Sequence, residues 1–599
     1  MKNLNFQKLE QKPASTHIRQ LGYVRALGVT LVLLYHFYPK LLPGGFIGVD
    51  VFFVFSGYLI TALALEEYRK SHSFDIKKFA ERRFFRIFPT VAFSMLIILP
   101  LTLFGTADLR YNLASQVFAG LGFFTNFYEM STGISYATSF APHIFVHLWS
   151  LALEVQFYIF WGLLIWLLAR RFKRGIKGQV FILSALIFIG SSLIMTLSAL
   201  TSTNLSELYY SPLSHIFPFF LGGILATIAG IHTSPLIRNL SRQWTQQRVM
   251  IGSALSAVVL LLLSLFLQFD SKLTFAIGFL LAALAAVSLI LHLRLLHEKT
   301  ESQEPLVIRW LADISYGVYI FHWPFLIVFE NFRLSHGLSV LLSVILSLGL
   351  ASLMLYLIDP WLRGRKSYSL SIKRAIWAVA GLLLIASGVA VSQTSNETTL
   401  AQTLWTGSNQ QTVQQLTESE KMLQTGTFGA KNLVIGDSVA LGTTTNFSNA
   451  EILQNEIPGT FADTAGDRII SESLVQLLDQ YMPVMPKNAA LVIALGTNST
   501  NPTADIATLK NVIAKYSGQH HIVLVTPADF RAGGPFNSDT IADWEVSIKG
   551  KYPNVSIADW RAAASIHPEY LDADGTHIGD RPEGRAAWIS LVKAALAEK

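Results

Sequence analysis

Apolar residues run through the first two-thirds of this chain in blocks of about 20, the length a helix needs to cross the hydrocarbon of a bilayer. The blocks fall near 21–39, 46–66, 87–105, 147–169, 179–200, 212–231, 248–267, 273–293, 310–331, 337–360 and 375–394, so the pattern predicts eleven spanning helices. One further apolar stretch, 112–128, is read as half-inserted or interfacial. Counted as a span, it would put the Glu129–Val146 loop, which has no Lys or Arg, on the inner side and invert every later loop. From 395 to 427 the chain turns to Gln, Thr, Ser and Asn, the composition of an unpacked stalk. From Asn432 the short apolar runs Asn432–Gly436, Ala490–Leu495, Ile522–Thr526 and Val555–Ala558 alternate with the helix-like stretches Ala507–Tyr516 and Glu583–Leu596. That alternation predicts a parallel sheet with helices on both faces. The expected organisation is an all-α polytopic membrane domain over 1–365 with ten spans, an eleventh helix within 366–394, a stalk over 395–427 and an α/β/α domain over 428–599.

Composition supports the membrane reading. Mean hydropathy is +0.43 and charged residues are 14% of the 599, too apolar for a soluble protein of this size. The net charge of +7 conceals a split. Residues 1–394 carry 32 Lys and Arg against 17 Asp and Glu, whereas residues 395–599 carry 14 against 22. The excess cations sit in short loops: 67–86 (Arg69, Lys70, Lys77, Lys78, Arg82, Arg83, Arg86), 170–178 (Arg170, Arg171, Lys173, Arg174, Lys177), 232–248, 294–309 and 361–374. With a cytoplasmic N-terminus all of these lie inside, as the positive-inside rule asks, and the region beyond 395 lies outside. The basic excess is therefore a topology signal, and no nucleic-acid partner is expected. The polar start Met1–Gln20 shows no cleavable signal peptide, and the first apolar stretch is long enough for an uncleaved anchor. There is no cysteine, which excludes disulfides, thiolate catalysis and cysteine-based zinc sites.

In the polar tail, Gly436-Asp437-Ser438 directly follows a strand of buried type. A residue at the C-terminal end of a strand, opening a helix, lies where doubly wound sheets keep their sites. Ser438 needs a base to become a nucleophile. His577 is the candidate, and Asp574, in Asp574-Gly575-Thr576-His577, is placed to orient its ring. Asn498, in Gly496-Thr497-Asn498, also follows a strand and carries an amide able to donate to an oxyanion, and Gly466 offers a backbone N–H to the same oxygen. Each alone is more often a loop residue. Taken in this order, the four blocks resemble the SGNH hydrolase/acyltransferase family over roughly 430–599. The resemblance implies Ser438 as nucleophile, His577 as base, Asp574 as orienter, and an oxyanion hole of Ser438 N–H, Gly466 and Asn498. Wall-modifying relatives often place Arg straight after the glycine, whereas Asp467 intervenes here. His520, His521 and His567 have no matched partner and are expected to be structural or surface residues.

Ionisable residues inside spans default to functional hypotheses. Arg25 and His36 lie eleven residues apart in the first span, about 20° apart around a helix and roughly 16 Å apart along it. The bland reading is a snorkelling Arg and a hydrogen-bonded His. Longer runs weigh against it: Gly44–Tyr58, Arg82-Arg83-Phe84-Phe85-Arg86-Ile87-Phe88-Pro89, His147–Tyr158 and Ile314-Ser315-Tyr316-Gly317-Val318-Tyr319-Ile320-Phe321-His322-Trp323-Pro324. Together with Arg25 and His36 they closely resemble the acyltransferase-3 family of integral membrane acyltransferases over about 20–365. The family implies cytoplasmic acetyl-CoA as donor substrate, with no tightly bound cofactor and no metal. It implies Arg25 and His36 as the essential pair, and an acyl pathway including Arg83 and Arg86 for the CoA phosphates, Glu154, Tyr319 and His322. For Glu154 a helix–helix hydrogen bond is the structural alternative. His215 stands where many wall-modifying relatives have Arg, and Asp359 where Glu is usual.

The two domains in one chain resemble the OatA-type peptidoglycan O-acetyltransferases of cell walls. That resemblance implies a bacterial multi-pass membrane enzyme, cytoplasmic at its N-terminus and extracellular at its C-terminal domain. It would acetylate glycan strands on the C6 hydroxyl of N-acetylmuramoyl residues. N-acetylglucosamine C6 and other surface polysaccharides are alternatives, because the motifs handle the acyl group and not the sugar. A transporter with a tethered esterase, and a wall-assembly scaffold, are alternatives of other classes.

Overall fold

The computed structural model describes residues 18, 20–132, 143–172, 175–202, 204–232, 234–425, 429–444, 452–531, 536–572, 574–579 and 581–598. The polar start up to His17, residues 133–142 of the Glu129–Val146 loop, Lys173 and Arg174 of the second basic loop, and the stalk residues 426 and 427 lie outside the described residues. The chain divides into two compact units at Thr394/Ser395.

Among the described residues of the first unit, ten helices are long and apolar enough to cross a membrane: Gly45–Ser71, Ile76–Phe104, Leu148–Arg171, Ile176–Thr201, Pro212–Ala229, Gln246–Phe266, Thr274–Lys299, Leu306–Asn331, His336–Leu362 and Leu370–Ser392. They fall on ten of the predicted spans. Burial separates two classes. In their most apolar stretches Gly45–Ser71 is 78% buried and Leu306–Asn331 72%, whereas Leu370–Ser392 is only 11% buried. A helix whose Leu, Ile and Val side chains face outward in this way is solvated by lipid tails, and the buried helices form the centre.

The first predicted span is shorter than expected, a helix over Gly22–Phe37 of 16 residues. Its ends are tied by distant side chains: Glu304 Oε1 accepts the Gly22 N–H at 3.0 Å, and His336 Nε2 donates to the Phe37 carbonyl at 2.8 Å. These bonds satisfy groups that helix ends leave open. It runs parallel to Leu306–Asn331, since Arg25 pairs with Asp313 near its start and His36 with His322 near its end. It thus runs through the same layer as a long helix, with half of its residues buried.

The 112–128 segment breaks into helices Leu113–Gly122 and Thr125–Thr132, with Phe123 at φ +57° between them. Ten residues reach about 15 Å, half the hydrocarbon thickness, so neither helix crosses. One close approach fixes the centre. A Cβ on Gly57 would lie 1.9 Å from the Phe219 carbonyl oxygen, and one on Gly222 would lie 2.1 Å from that of Val54. Helices Gly48–Ser71 and Phe217–Ala229 therefore pack backbone to backbone, the arrangement small residues permit in membranes.

The second unit is built on five parallel strands, β1 (Asn432–Gly436), β2 (Thr460–Thr464), β3 (Ala490–Ala494), β4 (Ile522–Val525) and β5 (Val555–Ala558), in the order β2-β1-β3-β4-β5. Alternate strand residues feed separate cores on the two faces: Leu433, Ile435, Leu491 and Ile493 in one, Val434, Val492 and Val523 in the other. This is the three-layer α/β/α arrangement. The strand order reverses at β1, which places the switch point between β1 and β3.

Two sequence expectations need correction. Strand β2 lies at an edge and escaped the apolar pattern because it reads Thr-Phe-Ala-Asp-Thr; its polar groups are bonded instead of exposed. The predicted unpacked stalk is a 27-residue helix, Thr399–Thr425. Its Gln411 is buried against β2, donating from Nε2 to the Thr464 carbonyl at 2.6 Å and accepting the Thr464 N–H at 3.2 Å on Oε1. The side-chain amide so stands in for a neighbouring strand and covers the sheet edge. Composition alone did not reveal this, because Gln and Thr serve as readily in a helix that meets a polar edge.

Candidate active sites

Strand β1 ends at Gly436, and Ser438 opens the helix Ser438–Thr444. Between them Asp437 is almost fully buried. Its Oδ1 accepts the Val439 N–H at 3.0 Å and its Oδ2 the Thr497 N–H at 3.3 Å. One carboxylate therefore joins the Ser438 turn to the loop after β3, and burial raises its pKa.

Ser438 Oγ lies 2.8 Å from His577 Nε2, and His577 Nδ1 lies 2.6 Å from Asp574 Oδ2. The other Asp574 oxygen accepts the N–H groups of Thr576 and His577, both at 2.9 Å. A carboxylate only accepts, so Nδ1 carries the proton and Nε2 is the basic nitrogen facing the serine hydroxyl. Burial opposes the charged imidazolium, but the hydrogen bond and charge of Asp574, with the charge of Asp437, outweigh it and hold His577 above its ordinary value. For Asp574, burial opposes ionisation but is overcome by His577 and the two backbone donors, which keep it below the ordinary range. The triad turn is braced from behind. Gly575, at φ +70°, accepts the Phe530 N–H at 2.9 Å, and a Cβ there would sit 3.2 Å from the Phe530 carbonyl. The Thr576 hydroxyl donates to Asp529 at 3.1 Å, and Arg531 is paired with the same carboxylate at 2.6 Å.

Asn498 follows β3 on the loop that Asp437 holds. Its Nδ2 is buried and has no hydrogen-bond partner among the described residues, the state of a donor kept for a substrate oxygen. Gly466 lies in the turn after β2, beside Ala465, whose N–H donates to the Gly436 carbonyl at 3.2 Å. A Cβ at Gly466 would meet nothing within 4 Å, so the space beside it is open. The intervening Asp467 adopts φ +60°, and Arg468 then reaches back to the Asp463 carboxylate at 2.5 Å and the Gly436 carbonyl at 3.3 Å. His520, His521 and His567 bond to the Ala489 carbonyl, Ser556 and Glu569, away from the triad.

The residues singled out in the membrane unit fall into two groups. Arg25, Arg83, Arg86, Glu154 and Tyr319 line one cavity of about 840 Å³, counting its open mouth. Arg25 pairs with Asp313 at 3.3 Å, and Arg83 lies over the rings of Phe79 and Tyr158. The Nε atoms of Arg25 and Arg83 are buried without hydrogen-bond partners among the described residues. Glu154 accepts from Ser56 at 2.5 Å and from the Tyr158 hydroxyl.

His36 and His322 form the second group, 2.7 Å apart through Nδ1 and Nε2, with Trp323 against His36. His322 Nδ1 donates to the Tyr319 carbonyl at 2.7 Å. That carbonyl fixes the tautomer. His322 Nε2 must accept from His36 Nδ1, which leaves His36 Nε2 as the basic nitrogen. Tyr319 links the groups, its side chain lining the cavity and its hydroxyl bonding Ser150 and the His147 carbonyl at 2.7 and 2.6 Å. His215 is fully buried between the Tyr209 carbonyl at 2.8 Å and Asp50 at 3.0 Å, and Asp359 pairs with Arg363 at 2.7 Å. Asp313 was not singled out from the sequence, and Asp437 and Ser56 stood inside quoted motifs without a role of their own. Only the charge of Asp313 inside an apolar block was a usable signal.

The acyltransferase-3 family model, described as an acyltransferase domain, matches residues 18–359. An O-acetyltransferase OatA of Staphylococcus aureus is 28% identical, covering 96% of this chain and 96% of its own. The peptidoglycan O-acetyltransferase OatA of Listeria monocytogenes is 25% identical, covering 97% of this chain and 98% of its own. Among solved structures, the C-terminal catalytic domain of Streptococcus pneumoniae peptidoglycan O-acetyltransferase A, with a methylsulfonyl adduct, is 25% identical. It covers 28% of this chain and 93% of its own at a TM-score of 0.24. With its family match over more than half its length and its apolar helices, this chain is a multi-pass membrane enzyme belonging to the acyltransferase-3 family.

Proposed function

We propose that this chain O-acetylates peptidoglycan, drawing acetyl from cytoplasmic acetyl-CoA and delivering it outside through a serine acyl-enzyme to the C6 hydroxyl of N-acetylmuramoyl residues. The observation that carries the reading is the unbroken hydrogen-bonded series Ser438–His577–Asp574 in the same polypeptide as an arginine-lined cavity among membrane helices. The relatives' names support peptidoglycan as the acceptor polymer.

In the outer half-reaction His577 Nε2 takes the Ser438 proton as Oγ attacks the acetyl carbonyl, and hands it to the group that carried the acetyl as the bond between them breaks, which leaves an acetyl-serine and a neutral His577. Asn498 Nδ2, the Ser438 N–H and Gly466 stabilise the oxyanion. His577 then deprotonates the sugar hydroxyl, whose oxygen attacks the acyl-enzyme and frees Ser438. In the membrane unit Arg83 and Arg86, with Arg25 in the same cavity, suit the CoA phosphates, and His36, with its basic Nε2, assists acyl transfer. The inward N-terminus and outward C-terminal domain rest on the basic loops and on counting Gly22–Phe37 as a span, which its parallel run beside Leu306–Asn331 favours.

The test is mass spectrometry of digested cell wall from null, wild-type and Ser438→Ala cells. Acetyl on muramoyl C6 in wild type alone is the expected result. Acetyl on N-acetylglucosamine would change the acceptor, and wall acetylation unaltered by Ser438→Ala would favour a transporter carrying an esterase.

A further inference from the structure

Ser56 stands in the membrane cavity with the features of a nucleophile. Its hydroxyl donates to Glu154 Oε1 at 2.5 Å. The Tyr158 hydroxyl donates to the same oxygen and lies 3.4 Å from Ser56 Oγ. All three side chains line the cavity that holds Arg25, Arg83 and Arg86. Neither His36 nor His322 lines it, so within the cavity it is Glu154, and not the histidine pair, that touches a hydroxyl. The position is also rigid. Gly57, the next residue, packs against the Phe219 backbone with no room for a Cβ, which holds Ser56 Oγ on one side of the helix Gly48–Ser71. A hydroxyl bonded to a carboxylate in a cation-lined cavity walled by Val49, Phe52, Leu59 and Ile60 is an arrangement that nucleophilic catalysis uses.

We infer that Ser56 is the first acyl acceptor of the chain, taking acetyl from the donor thioester to form an O-acetylserine inside the membrane unit. This rests on the acetyl-CoA reading above. As Ser56 Oγ bonds to the acetyl carbon its proton passes to Glu154. The carbon–sulfur bond breaks, and the proton moves from Glu154 to the departing sulfur, so that one CoA thiol and one serine ester result. Arg25 and Arg83, whose Nε atoms have no hydrogen-bond partner among the described residues, face the negative charge of the bound donor.

The test uses the full chain in lipid nanodiscs with acetyl-CoA labelled in its acetyl group, reading free CoA thiol and the mass of the peptide containing Ser56 after acid quench. Wild type and Ser438→Ala should each release a burst of CoA equal to the enzyme present and carry the label on Ser56. Ser56→Ala should show neither, and Glu154→Gln should slow the burst by about a hundredfold or more. Ser56→Cys guards against misfolding: the label should persist as a thioester, cleaved by hydroxylamine at neutral pH. An undiminished burst in Ser56→Ala, or label on another residue, overturns the assignment and leaves the donor reading intact. No CoA release from wild type would overturn the donor reading and this inference with it.

Discussion

Asp437 shows how much can hang on one carboxylate. It bonds the turn that presents Ser438 and the loop that presents Asn498, so the proposed nucleophile and the proposed oxyanion donor share an anchor. Asn498→Ala should lower kcat by about a hundredfold to a thousandfold with little change in KM, measured on a soluble acetyl ester. The pH profile follows from His577. Under the proposed mechanism its neutral form is the base, so kcat/KM should fall as pH drops through the His577 pKa, which Asp574 and Asp437 hold above the ordinary histidine value against the effect of burial. Asp574→Asn should move that limb to lower pH and reduce kcat by about ten-thousandfold, because the wrong tautomer is then favoured. Ser438, Asp574 and His577 were legible in the sequence because each sits in a short motif beside a recognisable strand or turn. Asp313, 288 positions from its partner Arg25, and Ser56, 98 from Glu154, were not. Their meaning depends on which helices pack together, and local spacing does not carry that information.

At the scale of elements, apolar period and length were enough to locate ten long helices and four of five strands. They failed where polar groups were bonded to each other instead of to water, in β2 and in the helix Thr399–Thr425. The helix Asn537–Ser547 carries a different tension. Its Glu545 is fully buried with neither carboxyl oxygen hydrogen-bonded among the described residues. Burial first, and the charge of Asp559 second, push its pKa well above the carboxylate range. The folded state therefore holds this proton more tightly than the unfolded chain. Stability is greatest below the unfolded carboxyl pKa and is lost as pH rises towards the folded one. Amide exchange across Asn537–Ser547 should accelerate as pH is raised from about 4, beyond the intrinsic base catalysis of exchange, and Glu545→Gln should abolish that excess. In the membrane unit, Gly57→Leu should prevent recovery of monodisperse protein. Its side chain meets the Phe219 backbone, and overpacking there costs about 1–3 kcal/mol or more.

For the molecule as a whole, the absence of cysteine makes sidedness directly measurable. Single cysteines at Val475, exposed in the second unit, and at Arg365, in the loop before Leu370–Ser392, can each be probed in intact cells with a membrane-impermeant maleimide. Labelling at Val475 and none at Arg365 is expected under the proposed topology, and the reverse pattern would end it. The proposed reaction, in which a donor is consumed on one side and a polymer esterified on the other, requires this separation.

The Gln411 clasp on β2 bears on where a soluble fragment should begin. Cutting just ahead of Asn432 would strip the amide from Thr464 and leave a bare strand rim, open to pairing with another copy of itself. A fragment starting before Thr399 keeps its own cover, and with it a better prospect of staying dispersed at the concentrations crystallisation demands.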